Sequence, residues 1–428
     1  MKVLLVGGGA REHALAWKLT TDDPSLELIG APGNPGIAEY GRCVSTPATD
    51  LAGLVELARR ERPYLAIIGP EAPLAAGLAD ALRAHGVPTF GPGAAAARIE
   101  ASKAFAKQLM LDAGVPTAQA GRYVRPEDAK RAARALGAPV VIKASGLAAG
   151  KGVVIARTLG EAEQAIDAML VGHSFGEAGN EILVEEFMDG EEMSLFALTD
   201  GRRVVPMLPA QDHKRLLTGD TGPNTGGMGA FAPLSIATPV LVDDVVERVM
   251  RPTLRALHDA GTPFSGLLYA GLMVASDGSS PRVVEFNCRF GDPETEALLP
   301  LLEEPLLPRL LGVAEGEMEE RPLRWSGRHA VTTVVAASGY PESPRLGDPI
   351  ALPAARADVH VFHAGTRRAD DGRLVTAGGR VFAVTAVADT LADAQRSSIR
   401  TAGGIEFAGS QYRADIAWRE LERHAGAA

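Results

Sequence analysis

Three side chains able to bind ions alternate along the apolar stretch Val283–Glu294. Glu285, Asn287 and Arg289 lie two residues apart, and because successive strand side chains point to opposite faces, all three should share one face at intervals of about 6–7 Å. A carboxylate and an amide oxygen suit a hard cation such as Mg²⁺, which fills its remaining positions with water and phosphate oxygens. The guanidinium beyond them is suited to a further anion. A polar strand face exposed to water explains the same pattern about equally well.

Glycines near the start of the chain predict an anion-binding turn. Gly7, Gly8 and Gly9 follow an apolar strand and precede a helix, an arrangement that presents backbone N–H groups to an anion. Glu12 occupies the position of the third glycine in the dinucleotide-binding fingerprint, and the second strand does not end in an acid that could hold a ribose hydroxyl. A phosphorylated metabolite is therefore favoured over NAD as the ligand.

Strands and helices continue to alternate as far as Gly93, which predicts a parallel sheet with ligands at the carboxyl ends of its strands. Glu71 follows the strand Tyr64–Ile68 at such an end. An acid at the N-terminus of a helix is also stabilised by the helix dipole. A purely structural role for Glu71 is therefore about equally consistent with its position.

Lysines and a glycine-rich stretch predict a phosphate site in the second third of the chain. Lys143 ends an apolar strand predicted at 140–143, where an unpaired lysine is rare. The stretch after it contains Gly150, Lys151 and Gly152 and leads into a second predicted strand at 153–156. Such a hairpin suits folding over phosphates, although it is not a Walker A loop, because the strand–loop–helix context is absent. Lys103 lies in a helix that is predicted from Ala94 to about Ala113, where a solvated lysine is the usual interpretation.

An acidic segment follows the next predicted strand. Glu185, Glu186, Phe187 and Met188 precede a turn that leads to Glu192. An apolar pair beside acids is suited to line an adenine pocket and to reach ribose hydroxyls. Surface acids around a turn are the alternative interpretation.

The segment Gly219–Gly229 predicts a functional loop. It holds five glycines and one proline in eleven residues, a composition that excludes a helix or a central strand. A loop of this length without elements of its own is usually functional in a compact domain. Asn224 lies in this loop, and Asp212 precedes it in the segment Gln211–Arg215.

These residues are distributed over a chain of α/β and α+β multidomain character. Its 428 residues fit about three domains. The predicted units are an N-terminal domain with a Rossmann-like parallel sheet over 1–100, a central domain over 101–324 with a smaller module at about 116–188, and a C-terminal α+β domain over 325–428. The C-terminal domain shows no cluster of chemically active residues, and His360 and His363 are interpreted as strand residues.

Composition excludes several classes of function. The net charge of −10 is spread without basic blocks, which argues against nucleic-acid binding. Cys43 and Cys288 lie far apart, so neither a zinc site nor a disulfide framework is indicated, and a reducing cytoplasmic location fits. The first residues enter a strand directly, unlike a signal peptide, and no apolar run approaches the ~20 residues of a membrane helix.

Together these motifs resemble the ATP-grasp ligases, and within them the phosphoribosylamine–glycine ligase family. The resemblance extends over almost the whole chain and rests on GGGAREHALAWKL, GPEAPLAAGL, SKAFAKQLM, VIKASGLAAGKGV, EEFMDGEE, QDHKR, DTGPNTGGMGA, YAGLM, EFNCRFGDPE and HAGT. It implies an N-terminal substrate domain, a central ATP-grasp domain with a mobile lid, and a C-terminal domain. It also implies ATP-dependent joining of glycine to 5-phosphoribosylamine through glycyl phosphate in purine biosynthesis.

The resemblance implies a role for each candidate residue. ATP phosphates would contact Lys103 and Lys143 under the lid residues Gly150, Lys151 and Gly152, with adenine held by Glu185, Glu186, Phe187 and Met188 and ribose by Glu192. Mg²⁺ or Mn²⁺ would bind Glu285 and Asn287, and the substrates and acyl phosphate would meet Arg289, Asp212, Asn224, Glu71, Gly7, Gly8 and Gly9.

Two positions depart from the family pattern. Ala10 replaces the last glycine of the first loop, and Gly271 stands where many ATP-grasp enzymes have another metal-binding acid. Glu285 and Asn287 are then the only protein ligands, supplemented by phosphate, water or an unassigned side chain. Asp212 is the candidate proton acceptor for the attacking amine, although an acid that ties its own segment to a neighbour is equally consistent.

Other classes of function remain as alternatives. One is another ATP-grasp ligase or a carboxylase, which the Gly219–Gly229 segment disfavours. Another is a non-catalytic nucleotide-binding regulator, which would be expected to lose its metal ligands or lid lysine. A cytoplasmic monomer or small homo-oligomer that uses small-molecule substrates, without nucleic-acid or membrane partners, is expected.

Overall fold

The computed structural model describes residues 1–147, 152–275 and 280–426. Within these ranges the chain forms an N-terminal unit, a small antiparallel module, a central antiparallel sheet and a C-terminal sheet. No helix among these residues is long and apolar enough to cross a membrane. The predicted mixture of α/β and α+β units is confirmed.

The N-terminal unit contains a five-stranded sheet with the order β3-β2-β1-β4-β5, and all of its strand pairs are parallel. Because β2 and β4 lie on opposite sides of β1, the strand order reverses beside β1 and leaves a crevice at the carboxyl ends. The elements are β1 (Lys2–Gly7), α1 (Ala10–Asp22), β2 (Glu27–Pro32), a 3₁₀ helix (Ile37–Glu39), β3 (Arg42–Cys43), α2 (Leu51–Glu61), β4 (Leu65–Ile68), α3 (Glu71–Ala75), α4 (Leu78–Ala84), β5 (Thr89–Phe90) and α5 (Ala94–Ala101).

The single helix predicted from Ala94 to about Ala113 is wrong, because two helices meet at Ser102. The second of them is α6 (Lys103–Asp112). The Ser102 hydroxyl accepts a hydrogen bond from the Phe105 backbone N–H at 3.2 Å, which satisfies one of the free donors at the helix start. Lys103 is therefore the first residue of a helix rather than an interior one.

The small module is a four-stranded antiparallel sheet with the order β6-β9-β7-β8. It has its own apolar core, in which two helices cover one face of the sheet. The strands predicted at 140–143 and 153–156 are confirmed as an antiparallel pair. The elements are β6 (Ala120–Tyr123), α7 (Pro126–Leu136), β7 (Val140–Ala144), β8 (Val153–Ala156), α8 (Leu159–Leu170), a 3₁₀ helix (Gly176–Gly179) and β9 (Ile182–Glu186).

The central unit carries the candidate metal strand, in a sheet with the order β11-β10-β16-β17. One helical segment, which contains a π turn at Val246–Met250, packs into the apolar core of this unit. The elements are β10 (Glu191–Thr199), β11 (Val204–Pro206), β12 (Gln211–Asp212), β13 (Arg215–Leu217), β14 (Thr221–Asn224), β15 (Gly229–Ala232), α9 (Pro239–Val245), α10 (Arg251–Asp259), β16 (Gly266–Val274), β17 (Arg282–Asn287), α11 (Glu294–Leu298), a 3₁₀ helix (Leu299–Leu301) and α12 (Leu307–Glu315).

The prediction that Gly219–Gly229 has no elements of its own is wrong. Its residues 221–224 form β14, which pairs with β13 as an antiparallel hairpin. Gly219 and Asp220, with φ of 72° and 53°, make the turn between the two strands. The glycine and proline content of the segment excludes a central strand, which has a hydrogen-bonded neighbour on each side. It does not exclude a strand of a two-stranded hairpin, which pairs on one side only.

The C-terminal sheet extends across the predicted domain limit at 325. Its order is β12-β15-β18-β22-β19, so two strands that precede the limit continue the sheet of the C-terminal unit. The division into 1–100, 101–324 and 325–428 stays a prediction. The elements are β18 (His329–Ala336), β19 (Val359–His363), β20 (Thr366–Arg368), β21 (Leu374–Thr376), β22 (Arg380–Ala388), α13 (Leu391–Ala402) and α14 (Trp418–Gly426).

Candidate active site

The fold brings the three ion-binding residues of the opening motif together. Glu285 and Asn287 lie on β17, opposite Gly271 and Tyr269 of β16. Arg289 lies beyond the end of the strand, yet its Nη2 is 3.3 Å from the Asn287 side-chain oxygen. Carboxylate, amide and guanidinium therefore form one cluster at the carboxyl end of β17.

Arg289 is held by two carboxylates that approach from the N-terminal unit. Its Nη2 lies 2.9 Å from the Glu100 carboxylate, and its Nε lies 3.8 Å from that of Glu71. Burial lowers the pKa of Arg289, but the charges of Glu100 and Glu71 outweigh it and raise the pKa above its ordinary value. The guanidinium is therefore fixed in position and permanently charged.

Glu100 is a site residue that the sequence reasoning missed. It is buried on α5, and its second carboxylate oxygen accepts a hydrogen bond from the Cys288 backbone N–H at 2.8 Å. The sequence signal that could have identified Glu100 is a glutamate beside Ile99 in an otherwise alanine-rich helix. Only the packing of α5 against β17 shows that this acid meets Arg289.

Glu285 is a charged carboxylate in a strongly basic environment. Burial raises its pKa, but the cations of Lys214, Lys103, Lys143 and Arg289 together hold the pKa below its usual range. Such a group is ionised at neutral pH and available to a metal ion.

The donor set fits a hard divalent cation. Glu285 and Asn287 offer oxygen ligands, which Mg²⁺ and Mn²⁺ prefer. Gly271 faces Glu285 and adds no side chain of its own. Within the described ranges, no group of three or more His, Cys, Asp or Glu side chains is placed to hold a metal. The remaining ligand positions are thus open to water and phosphate oxygens.

Lys143 is paired with an acid, which explains how a lysine can end a buried strand. Its Nζ lies 2.8 Å from the Glu185 carboxylate and donates to the Val284 carbonyl at 3.1 Å. Lys107, which the sequence reasoning missed, lies 3.2 Å from the other Glu185 oxygen. Lys107 is one helical turn beyond Lys103 on α6. The shared helix face of the two lysines was the sequence signal that could have identified Lys107 as a site residue.

Lys103 connects α6 to the start of the glycine-rich stretch. Its Nζ donates to the Gly146 carbonyl at 3.2 Å. Beyond the stretch, the Gly152 carbonyl accepts from the Ala144 backbone N–H at 2.8 Å, which closes the β7–β8 pair. The predicted lid residues Gly150 and Lys151 lie outside the described residues.

The residues predicted to line an adenine pocket lie at the end of β9 and in the segment that follows it. Glu186 accepts from the Gln119 backbone N–H at 2.9 Å and is paired with Arg282. Phe187 is exposed, whereas Met188 is buried. The apolar pair therefore presents one side chain to the surface and the other to the interior.

Asp212 and Glu192 meet around one lysine. Lys214 is paired with Glu192, and its Nζ lies 3.8 Å from the Asp212 carboxylate. Burial raises the pKa of Asp212, Lys214 lowers it, and the acids Glu294 and Glu192 raise it further, to about 7. A carboxylate with a pKa near neutrality is suited to accept a proton.

A buried hydrogen-bonded group lies next to this pair and was also missed. The Glu294 carboxylate accepts from the Tyr269 hydroxyl at 2.8 Å and from the Ser194 hydroxyl at 3.1 Å. Glu294 was part of the opening motif, but its partners come from β10 and β16, far away in sequence. Asn224 lies on a separate hairpin, in register with Arg215.

The first glycine turn differs from a dinucleotide-binding loop because Glu12 fills the space below it. The Glu12 carboxylate accepts from the Gly9 backbone N–H at 2.7 Å. Gly7 has a φ of 125°, and a Cβ there would lie 2.6 Å from the Glu12 side chain. A Cβ on Gly8 would lie 2.5 Å from the Gly33 carbonyl oxygen. The turn therefore requires glycine at both positions.

Three consecutive parts of the chain match family models. Residues 1–100 match the family described as phosphoribosylglycinamide synthetase, N domain. Residues 101–295 match its ATP-grasp (A) domain, and residues 330–419 match its C domain. The chain belongs to the phosphoribosylamine–glycine ligase family. It is an ATP-grasp ligase, and the fold implies use of ATP with a divalent cation.

Relatives of the ligase cover its whole length. It is 45% identical over 426 residues to the phosphoribosylamine–glycine ligase of Xanthomonas campestris pv. campestris, and 46% identical over 427 residues to that of Salmonella typhimurium, with 99% of each chain covered. The solved phosphoribosylamine–glycine ligase of Thermotoga maritima is 32% identical with a TM-score of 0.85, covering 97% of this chain and 100% of that one.

The fold of the ligase is shared more widely. Biotin carboxylase from Campylobacter jejuni superimposes with a TM-score of 0.74 at 16% identity, covering 96% of this chain and 92% of that chain. At this level of identity the likeness concerns the fold alone.

Proposed function

We propose that this ligase joins glycine to 5-phosphoribosylamine with ATP, giving glycinamide ribonucleotide, ADP and phosphate in de novo purine biosynthesis. Glycine is activated as glycyl phosphate, and the amine then displaces the phosphate. The observation that carries the proposal is the single cluster of Glu285, Asn287 and Arg289, with Lys103 and Lys143 supplying further charge nearby.

Phosphoryl transfer requires positioning and charge neutralisation more than a nucleophilic side chain. Glu285 and Asn287 would hold Mg²⁺ or Mn²⁺, which would supply positive charge against the phosphates of ATP. Lys103 and Lys143 contact the phosphates of ATP, and Lys151 with Gly150 and Gly152 would cover them, as the family resemblance implies. This arrangement keeps water away from the activated carboxyl group.

The nucleotide base and sugar lie towards the small module. Glu185, Glu186, Phe187 and Met188 form the adenine pocket, and Glu192 reaches the ribose. The Glu185 carboxylate contributes indirectly, since it is already paired with Lys143 and Lys107.

Arg289 meets the γ-phosphate and the glycine carboxylate as the acyl phosphate forms. Glu100 and Glu71 hold its planar fork in a fixed orientation. A charge that is already in place costs no reorganisation during the reaction. Arg289 therefore acts mainly on turnover.

The amine enters from the N-terminal unit. Gly7, Gly8 and Gly9 present the backbone of the first turn to phosphoribosylamine, with Glu71 beside it, and Asn224 binds substrate from the adjacent hairpin. Asp212 accepts the proton that the amine loses when it attacks the acyl phosphate. Its pKa of about 7 allows it to accept that proton at physiological pH.

A coupled assay of ADP release tests this function. ADP formation should require glycine together with freshly made phosphoribosylamine, and bicarbonate should not replace glycine. ADP release that depends on bicarbonate would indicate a carboxylase instead. Nucleotide binding without any turnover would indicate a regulator.

A further inference from the structure

Arg380 connects the C-terminal unit to Asp292, an acid that lies next to the first turn. Arg380, the first residue of β22, donates from Nη1 to the Asp292 carbonyl at 2.9 Å and to the Gly226 carbonyl. The same Nη1 lies 3.2 Å from the Asp292 carboxylate. One guanidinium group thus joins the C-terminal sheet, the segment after β14 and the start of α11.

Gly226 is held by the C-terminal unit at both of its backbone groups. Its N–H donates to the Tyr340 hydroxyl at 3.0 Å, while its carbonyl accepts from Arg380. A Cβ on Gly226 would lie 3.2 Å from the Arg380 guanidinium carbon, and one on Gly227 would lie 2.5 Å from Pro293. The close packing at this segment therefore depends on the two glycines.

Asp292 faces the first turn. Its carboxylate oxygen lies 3.6 Å from the position of a Cβ on Gly9. A carboxylate here is suited to accept hydrogen bonds from sugar hydroxyls of a ligand bound at the turn. Because Arg380 binds both the carbonyl and the carboxylate of Asp292, its position fixes the direction of this acid.

Arg380 is paired with Asp292, and its charge also acts on the buried Glu296. Glu296 is completely buried on α11, and neither of its carboxyl oxygens has a hydrogen-bond partner in the described ranges. Burial, followed by the charge of Asp292, raises the pKa of Glu296 well above its ordinary value. The contact at 3.2 Å places the Arg380 guanidinium against Asp292 rather than against the unpartnered Glu296.

We propose that Arg380 is a positioning residue for phosphoribosylamine, which orients Asp292 towards the sugar hydroxyls and holds the Gly226 segment beside the first turn. This inference rests on the proposed function. It assigns to the C-terminal unit a share in recognising the amine substrate, whereas glycine and ATP bind at the β17 cluster.

Separate KM values for the three substrates test the inference. Arg380→Ala should raise KM for phosphoribosylamine by about tenfold or more, while KM for ATP and for glycine stays within about twofold. Arg380→Lys, which keeps the charge but not the planar fork, should be intermediate. Arg373→Ala is the matched control, since the side chain of that exposed arginine of the same unit is paired with Asp371.

Two further measurements separate positioning from a general structural role. Millimolar methylguanidine should lower the raised KM of Arg380→Ala for phosphoribosylamine and leave Arg373→Ala unchanged. Asp292→Asn should raise the same KM, and the effects of the two substitutions should not add, because both remove one contact. The Asp292→Asn result stands even if Arg380→Ala fails to fold.

The results of these measurements distinguish failure of this inference from failure of the proposed function. Unchanged KM for phosphoribosylamine in Arg380→Ala and Asp292→Asn, or an equal rise for all three substrates, would overturn the inference while the proposed function stands. Wild-type enzyme without phosphoribosylamine-dependent turnover would instead overturn the proposed function.

Discussion

Glu285→Gln should lower kcat by about 100-fold or more while the protein stays folded. The substitution keeps the shape of the side chain and removes the charge that holds the cation. Lys214, Lys103 and Lys143 surround the position, so the neutral variant also leaves excess positive charge at the site. Steady-state kinetics over a range of Mg²⁺ concentrations, with circular dichroism to confirm folding, measures the effect.

The exposed Glu303 provides a matched control. Glu303→Gln makes the same chemical change away from β17 and should leave kcat unchanged. If Glu285→Gln turns over like the wild type at limiting Mg²⁺, the metal does not bind to this strand.

Arg289→Ala should lower kcat by about 100- to 1,000-fold, as expected for loss of a transition-state donor, and leave ATP affinity nearly normal. Arg289→Lys should also be impaired, because it keeps the charge but loses the fork that spans Glu100 and Glu71. Calorimetric titration with ATP and glycine-dependent ADP formation give the two quantities. Collapse of ATP affinity with surviving turnover would assign Arg289 to the nucleotide site instead.

The structure adds a stability effect that must be separated from this catalytic effect. Removing Arg289 leaves Glu100 buried without its partner, and breaking a buried ion pair on one side costs roughly 3–5 kcal/mol. Glu100→Gln combined with Arg289→Ala should recover part of the lost stability without recovering kcat. Recovery of kcat in the double variant would show that the Arg289→Ala defect was only one of folding.

Local sequence pattern predicted the strand that carries the candidate metal ligands, because strand alternation determines which side chains share a face. The shared face of Glu285 and Asn287 on β17 followed from it. Arg289 lies beyond the strand end, and it remains in the cluster through its contact with Asn287 and its pairing with Glu100, not through alternation.

Partners from distant parts of the chain could not be predicted in the same way. Periodicity shows that Glu100 and Lys107 lie on particular helix faces, but not which acid or base packs there. The β14 hairpin and the sheet shared across position 325 depend likewise on which edges meet in space. The family resemblance assigned roles to Lys143 and Glu185, while only the structure shows that they pair with each other.

The oxygen atoms of glycine test the central claim, which is activation of the carboxyl group as an acyl phosphate. With glycine labelled by ¹⁸O at its carboxylate, the enzyme should transfer one labelled oxygen to each phosphate released, since the amine breaks the bond between carbon and the bridging oxygen. Mass spectrometry of the phosphate measures this, and unlabelled glycine in ¹⁸O-water is the control. Unlabelled phosphate formed together with the amide product from labelled glycine would contradict the account.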